Sequence, residues 1–227
     1  MKTINLFCIP YAGGSATIIY QKWNKYLKPH IKVIPVELAG RGERINEPVM
    51  SDIDLVIDDL LNYIKNNNKD NSYALFGHSL GAWLTYELLL KIKRTEYSMP
   101  QHAFLSGINA PHVPIKKKMS HLNDDDFIKE ISKLGGMNKE ILDNKALLDF
   151  ILPNIRNDYK LAEEYNRNPN TKKIPVDFSI LTGDKDELSS EIDEWNKYTD
   201  SNLKKNIFQG GHFYINVRYR EICSLIN

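Results

Sequence analysis

The sequence contains little cysteine and no long hydrophobic run. Its 227 residues include two cysteines, Cys8 in an apolar run and Cys223 near the C-terminus. Two cysteines do not form a disulfide framework, so we expect buried free thiols. No segment approaches the ~18 apolar residues that a membrane-spanning helix needs. The first apolar stretch ends at Pro10, too early for a signal peptide. We therefore expect a cytoplasmic protein with no membrane partner.

The chain also has no excess of charge of either sign. Lysine and arginine together number 30 and aspartate and glutamate 29, which gives a formal net charge of +1. Proteins that bind nucleic acid usually carry a marked basic excess, so we expect no nucleic-acid partner. No spacing of histidine, cysteine or carboxylate residues suggests a metal or a redox cofactor. The length fits a single domain that spans residues 1–227.

Predicted strands and helices alternate along most of the chain, as a parallel sheet with crossover helices requires. The predicted strands are residues 6–9, 31–38, 73–76, 102–108, 175–181 and 203–208. Pro35 indicates an edge position for the second of them. The clearest amphipathic helix follows Ser51, which begins a sequence typical of a capping box with Asp54 in place of glutamate. Helices are also predicted at 15–27, with Ser15 as N-cap, at 192–198 and at 214–226. The pattern predicts an α/β fold.

The alternation breaks between residues 112 and 173, where helical periods dominate. Asn123 is a candidate N-cap for one helix, a second begins near Asn144, and Pro153 is expected to interrupt it. A helical insertion of this size in a βα array is typical of a lid that excludes water and shapes a substrate channel. The alternative is a packed accessory subdomain with no role in substrate entry.

The sequence FGHSLG at residues 76–81 contains the pattern G-x-S-x-G between a predicted strand and a predicted helix. In a nucleophile elbow the serine occupies a strained turn, and small residues lie two positions on either side because neighbouring backbone crowds them. The pattern alone is also compatible with an ordinary turn. Its strand and helix context favours Ser79 as a nucleophile.

Three other loops that follow predicted strands carry residues suited to the same chemistry. The sequence YAGGS at residues 11–15 can turn backbone N–H groups toward an oxyanion, or can be a simple glycine-rich turn. Asp184 and Asp186 follow the fifth predicted strand, and His212 follows the last. In a parallel sheet such loops meet at one edge. The order serine, aspartate, histidine along the chain is that of α/β-hydrolases.

A serine hydroxyl needs a base to take its proton and an acid to orient that base. His212 is placed to act as the base, whereas His78 is expected to point away from Ser79 and to pack. We favour Asp186 as the acid and expect Asp184 to form a turn. The remaining histidines are expected at the surface or in packing roles: His30, His102, His112 and His121.

The sequence GRGER at residues 40–44 forms a polar loop after the second predicted strand. Its two arginines, Arg41 and Arg44, can grip a phosphate or a carboxylate. The favoured interpretation is a solvated loop that an arginine–glutamate pair holds together.

Taken together, these segments resemble the type II (external) thioesterases of nonribosomal peptide and polyketide synthases, a branch of the α/β-hydrolases. The likeness runs nearly end to end through PYAGGS at 10–15, ELAGRG at 37–42, GHSLG at 77–81, LPNIRNDY at 152–159, TGDKD at 182–186 and GGHF at 210–213. The chain departs from the family at Leu80, where methionine is frequent, at Ala39, where proline is frequent, and at Glu187, where proline often follows the acid.

The resemblance implies specific roles. Ser79 would be the nucleophile, His212 the general base and Asp186 the orienting acid, and the backbone N–H groups of Ala12 and Leu80 would be the oxyanion donors. The implied substrate is an acyl or aminoacyl thioester on the phosphopantetheine arm of a synthase carrier protein. Its hydrolysis frees blocked carrier domains.

The resemblance implies no cofactor of the enzyme's own, and we expect a monomer. A basic run at residues 116–118 is a candidate docking patch for an acidic carrier domain, although a solvated lysine run is favoured.

Three alternatives share much of this sequence pattern. A general acyl-CoA or small-ester hydrolase would use the same triad. A catalytically idle homologue would bind a synthase as an accessory subunit. An acyltransferase would use an acceptor other than water and would require every residue named above.

Overall fold

Six parallel strands form one sheet in the computed structural model, which describes residues 2–69, 71–137, 139–165 and 173–227. The strands are β1 (Ile4–Ile9), β2 (Ile31–Pro35), β3 (Ser72–His78), β4 (His102–Ser106), β5 (Asp177–Gly183) and β6 (Leu203–Phe208). Their order across the sheet is β2-β1-β3-β4-β5-β6. The predicted α/β class is confirmed, and β2 lies at an edge as Pro35 indicated.

Seven α-helices flank or extend this sheet in the described part of the chain. They are α1 (Ala16–Tyr20), α2 (Ile53–Asn68), α3 (Leu80–Ile92), α4 (Asp124–Lys133), α5 (Lys139–Leu142), α6 (Lys145–Glu164) and α7 (Tyr219–Ile226). None of the described helices combines the length and hydropathy needed to cross a membrane.

Both faces of the sheet are buried, because strand residues alternate between two hydrophobic cores. Phe7 and Ile9 of β1 pack into the core that contains α2 and α3. Leu6 and Cys8 pack on the opposite face, with α1 and α7. Cys8 and Cys223 are buried free thiols, as expected. The near-continuous apolar runs in the sequence follow from this two-sided burial.

Several helix boundaries differ from the predicted ones. The helix predicted at 15–27 is α-helical only in α1, with Ser15 as its N-cap, and continues as a 3₁₀ turn over Gln21–Lys25. The helix predicted at 192–198 is a 3₁₀ turn over Ile192–Lys197. The helix predicted at 214–226 divides into a 3₁₀ turn over His212–Asn216 and α7. Side-chain periodicity does not separate short 3₁₀ segments from α-helix.

The cap of α2 is Asp52 and not Ser51. The Asp52 carboxylate accepts hydrogen bonds from the backbone N–H groups of Asp54 and Leu55, at 2.8 and 3.3 Å. The prediction is wrong by one residue because the first helical residue is Ile53, so the preceding residue is the one placed to cap.

Helices α4 to α6 lie between β4 and β5 and share a hydrophobic cluster of their own. We call them the helical insertion. Its core includes Phe127, Ile131, Leu148, Leu152 and Ile155. The side chain of Asn123 caps α4, as expected, and α6 begins after Asn144, whose side chain is its cap. The predicted limits of 112–173 include residues 138 and 166–172, which lie outside the described residues.

Helix α6 runs without interruption through Pro153, where a break was predicted. A proline inside a helix removes one backbone hydrogen bond. The turn that follows Pro153 is anchored by side-chain hydrogen bonds to the loops after β1 and β2.

Candidate active site

Ser79 occupies the sharp turn between β3 and α3. Its backbone angles, φ 55° and ψ −121°, are ones that few non-glycine residues adopt. A Cβ atom at Gly77 would lie 2.0 Å from the carbonyl oxygen of Gly81, and one at Gly81 would lie 2.5 Å from that of Ile9. Both glycines are therefore required. The backbone N–H of Ser79 donates to the carbonyl of Ser106 at 2.8 Å, which ties the turn to β4.

Strand order brings the other candidate loops beside this turn. In the register of β1 against β3, Ile9 lies opposite Gly77, so the loop after β1 adjoins Ser79. In the register of β5 against β6, Gly183 lies opposite Phe208, so the loops that carry the aspartates and His212 are neighbours.

His212 lies between Ser79 and Asp186. Its Nε2 atom is 3.0 Å from Ser79 Oγ, and its Nδ1 atom is 3.0 and 3.1 Å from the two carboxylate oxygens of Asp186. Ser79 is partly exposed, whereas His212 and Asp186 are buried. Three residues that are distant in sequence thus form a continuous hydrogen-bonded series.

The Asp186 carboxylate also accepts hydrogen bonds from two groups other than His212. It accepts hydrogen bonds from the hydroxyl of Ser189 at 2.9 Å and from the N–H of Leu188 at 3.0 Å. Burial raises the pKa of Asp186, but the hydrogen bond and charge of His212 and the Ser189 hydroxyl lower that pKa by more, so it lies below its ordinary value. An ionised Asp186 favours a proton on His212 Nδ1 and leaves Nε2 to accept one from Ser79.

Asp184 has a different environment. It is exposed, and its carboxylate accepts a hydrogen bond from the backbone N–H of Gly210 at 2.8 Å. The Asp184 N–H donates to the carbonyl of Phe208 at 2.8 Å. Asp184 therefore joins the loop after β5 to the loop after β6, while Asp186 contacts His212.

His78 is fully buried behind the series. Its ring centroid is 5.1 Å from that of His212. Its Nδ1 atom is 2.8 Å from the Ser106 hydroxyl, which in turn is 2.6 Å from the hydroxyl of Tyr214. Burial, together with the nearby His212, lowers the pKa of His78 to about 3. His78 is therefore a neutral packing residue at physiological pH.

The candidate oxyanion donors face the same space as Ser79. Leu80 is the first residue of α3, so its N–H has no partner within the helix. Ala12 lies in a turn in which the N–H of Gly14 donates to the carbonyl of Tyr11 at 2.9 Å. Within the described residues, neither the N–H of Ala12 nor that of Leu80 donates a hydrogen bond, and both residues line the cavity at Ser79. Two backbone donors are thus available there.

A cavity of about 480 Å³ lies between the loops at Ser79 and the helical insertion. Besides Ala12 and Leu80, its apolar lining includes Ile108, Ile115, Met119, Leu134, Tyr159, Ala162 and Leu188. Several charged residues of the wall are paired with protein groups. Glu130 forms ion pairs with Lys117 and Lys133, and the buried Glu163 accepts hydrogen bonds from the backbone N–H groups of Met119 and Ser120. The cavity suits a mainly apolar group that reaches Ser79.

Arg41 departs from the predicted solvated loop. It is only 7% exposed and makes a two-point ion pair with Asp158 of α6, with an Nη2–Oδ1 distance of 2.9 Å. Arg44, by contrast, pairs with Glu47 and Asp59, so an arginine–glutamate pair does exist in this region. The prediction was wrong for Arg41 because the partner is 117 residues away in sequence and is brought there by the helical insertion.

Sequence reasoning also missed Glu37, a buried carboxylate beside the loop after β1. Glu37 accepts hydrogen bonds from the Ser15 hydroxyl at 2.6 Å and from the N–H groups of Ala16 and Thr17 at 2.9 Å. It thus satisfies the free N-terminal donors of α1. In the sequence, Glu37 and Arg41 are marked by their position in the segment ELAGRG, and Asp158 by its position in the segment LPNIRNDY.

Among the residues that the structure describes, no cluster of three or more histidine, cysteine, aspartate or glutamate side chains is arranged to hold a metal ion.

Comparisons with known proteins agree with this geometry. A family model described as a thioesterase domain matches residues 4–227. Thioesterase PikA5 of Streptomyces venezuelae is 30% identical over 228 residues, which cover 100% of this chain and 80% of the relative.

Two solved structures are similar over nearly the whole chain. The structure of ClbQ from the colibactin NRPS/PKS pathway shares 32% identity, with a TM-score of 0.92 over 99% of this chain and 95% of ClbQ. The structure of the type II thioesterase BorB from the borrelidin biosynthetic cluster shares 31% identity, with a TM-score of 0.87 over 99% of this chain and 91% of BorB.

Proposed function

The chain belongs to the thioesterase family, and from this premise we propose that it hydrolyses acyl or aminoacyl thioesters carried on the phosphopantetheine arm of synthase carrier proteins. The relatives include type II thioesterases of synthase pathways, so the predicted family and enzyme class are confirmed. The alternative of a general acyl-CoA or small-ester hydrolase is not favoured. The observation that carries the proposal is the position of His212, between Ser79 and Asp186 at the wall of a mainly apolar cavity.

In the acylation step, Ser79 Oγ attacks the thioester carbonyl carbon and His212 Nε2 takes the hydroxyl proton. The carbonyl oxygen becomes an oxyanion that accepts hydrogen bonds from the N–H groups of Ala12 and Leu80. When the tetrahedral intermediate collapses, the carbon–sulfur bond breaks. His212 returns its proton to the departing pantetheine sulfur, and the acyl group remains on Ser79 as an ester.

Deacylation repeats these steps with water. His212 removes a proton from water as the oxygen attacks the acyl-serine carbonyl, and the same two N–H groups stabilise the second oxyanion. Collapse releases the carboxylic acid and returns the proton to Ser79 Oγ. Asp186 holds the imidazole in the required orientation and stabilises its charged form in both steps. Ser79, His212, Asp186, the two N–H groups and water account for every bond that is broken or formed and for every proton transferred. We therefore propose no cofactor.

The helical insertion is the proposed lid, within a single domain of residues 1–227. Helices α4 and α6 provide one wall of the cavity, so an acyl group that reaches Ser79 passes between them and the loops of the sheet. A long, thin pantetheine arm fits such a passage while the carrier domain stays outside. Residues 116–118 are exposed, but Lys116 and Lys117 pair with Glu191 and Glu130, so we assign them no docking role. We propose a cytoplasmic monomer.

A comparison of substrates tests this proposal. The same acyl group is presented on a phosphopantetheinylated carrier protein and on coenzyme A, and kcat/KM is measured for each. We expect the carrier-bound thioester to be hydrolysed with the higher kcat/KM and the free acid to be the product. Equal or higher values for acyl-CoA would contradict the carrier specificity. Acyl transfer to a small-molecule acceptor would identify a transferase instead.

Labelling with a fluorophosphonate probe addresses the remaining alternative. An active site assembled as described reacts with the probe at Ser79. A chain that binds a synthase but does not react with the probe would be the catalytically idle accessory protein.

A further inference from the structure

We infer that Asp158, held in place by Arg41, is a positioning residue that keeps the oxyanion loop in its catalytic conformation. The loop in question is residues 11–14, which contains Ala12. The inference rests on the proposed function in that it assigns the Ala12 N–H to the oxyanion hole. It assigns a role in the reaction to a residue of helix α6. The enzyme then reaches its full rate only when α6 is packed against the oxyanion loop.

The conformation of the oxyanion loop depends on one peptide group. The Gly14 N–H bonds to the Tyr11 carbonyl, and Gly13 has a φ of 74°, as expected at the third position of a type II turn. Type I and type II turns differ by a flip of the central peptide, which here joins Ala12 to Gly13. The N–H of that peptide donates to Asp158 Oδ2 at 2.7 Å. Asp158 therefore stabilises the type II form.

Arg41 keeps Asp158 in the position that this contact requires. Both side chains are buried, Asp158 at 1% exposure, and the guanidinium meets both carboxylate oxygens. A buried carboxylate without a partner would be costly, whereas a two-point pair with arginine is directional as well as strong. Because Arg41 lies in the loop after β2, the pair joins that loop, α6 and the oxyanion loop at one point.

Neighbouring residues of α6 also contact the loops of the sheet, but their hydrogen bonds go to the segment between β2 and α2 and not to the oxyanion loop. The Asn154 amide donates to the Gly40 carbonyl at 2.7 Å, and the Asn157 amide donates to the Met50 carbonyl at 2.9 Å. Ile155 packs on Gly13, where an added Cβ would lie 2.7 Å from Ile155 Cγ1. Asp158 is thus the polar side chain of this turn of α6 that bonds to the oxyanion loop. Asn157 offers a matched control.

Without the Asp158 contact, the oxyanion loop is no longer tied to α6 through its Gly13 N–H, so the loop can move and carry the Ala12 N–H away from the position that the oxyanion requires. A displacement of about 1 Å in a catalytic group can lower the rate on the order of 10²-fold. The oxyanion forms only in the transition state, so the loss is expected in kcat and not in KM. A role limited to substrate entry through the lid would raise KM instead.

The test is the double variant Arg41→Met/Asp158→Leu, in which apolar side chains of similar volume replace the whole ion pair. Replacement of both partners of a buried pair is often neutral for stability. We expect urea unfolding close to wild type, a kcat for the carrier-bound thioester that is lower by about 10- to 100-fold, and a KM within about twofold of wild type. The control Asn157→Leu should keep its kcat. If the double variant does not fold, Arg41→Gln/Asp158→Leu takes its place, because it also removes both charges and the acceptor for the Gly13 N–H, and the same loss in kcat is expected.

A wild-type kcat in the folded variant, or a loss confined to KM, would overturn the inference. The rate of fluorophosphonate labelling at Ser79 provides a second readout, because the phosphoryl oxygen uses the same two N–H donors. We expect labelling to slow in parallel with kcat. If the wild-type protein labels with the probe but does not hydrolyse carrier thioesters, the proposed substrate is wrong, and the labelling rates of the variants still decide the role of Asp158.

Discussion

At the scale of single residues, two aspartates separated by one position have different partners. Asp186 bonds to the imidazole of His212, whereas Asp184 accepts one backbone N–H. Asp186→Asn should lower kcat on the order of 10⁴-fold, because an amide favours the wrong tautomer of the histidine. Asp184→Asn should have a much smaller effect, since an amide oxygen can still accept from Gly210. Steady-state kinetics of both variants check this, and a larger loss for Asp184→Asn would reverse the assignment.

His78 predicts a specific dependence of stability on pH. Its pKa is about 3 in the folded protein, against an ordinary value of 6.5. Between these values the unfolded chain binds a proton at this position that the folded chain does not, so the free energy of unfolding falls as pH falls. The slope from one such site reaches about 1.4 kcal/mol per pH unit.

Urea unfolding at several pH values between 4 and 7 measures this contribution. The His78→Gln variant lacks the titrating group and is the reference. We expect the free energy of unfolding of the wild type to fall more steeply with decreasing pH than that of the variant. Parallel curves would show that His78 does not stay neutral in the folded protein.

The role of a residue can be predicted from the sequence when the pattern that identifies it lies in the residues next to it. Ser79, His212 and Asp186 each follow a recognisable strand, and their order along the chain is informative. No local pattern identifies Asp158 as the partner of Arg41 and of the Gly13 N–H. Both contacts join residues that are more than 100 positions apart in the sequence. Those contacts depend on how the helical insertion packs, which periodicity does not determine.

At the scale of single elements, the cap of α2 offers a direct test of local stability. Asp52→Ala removes the acceptor for two N–H groups at the start of the helix and should cost about 1 kcal/mol in the free energy of unfolding. Ser51→Ala is the matched control and should change it little. Chemical denaturation measures both, and kcat should stay at the wild-type value. A larger cost for Ser51→Ala would restore the capping box predicted from the sequence.

Strands were predicted more accurately than helix ends. The central strands β1 and β3 are buried on both faces and so are apolar runs with polar residues after them, and the edge strand β6 matches its predicted range of 203–208. The helix ends depend on tertiary contacts. Helix α6 continues through Pro153 because its next turn is anchored to neighbouring loops, and propensity alone does not include such contacts.

At the scale of the whole molecule, the parallel sheet brings separate loops to one edge and the helical insertion covers them. In the proposed mechanism, the loops supply the nucleophile, the base, the acid and the oxyanion donors, and the insertion supplies one wall of the cavity. Through Asp158, the insertion also contacts the oxyanion loop. The proposed lid and the proposed oxyanion loop are therefore in direct contact, through the hydrogen bond between Asp158 and Gly13.

In the proposed mechanism, Ser79 is the nucleophile of a carrier-directed thioesterase. The most direct measurement is the turnover of an acyl thioester on a phosphopantetheinylated carrier protein by the wild type and by Ser79→Ala, with urea unfolding to establish that both are folded. We expect a loss on the order of 10⁶-fold in the variant, because the three residues of a catalytic triad act as a unit. A folded Ser79→Ala variant that keeps most of the wild-type rate would contradict it.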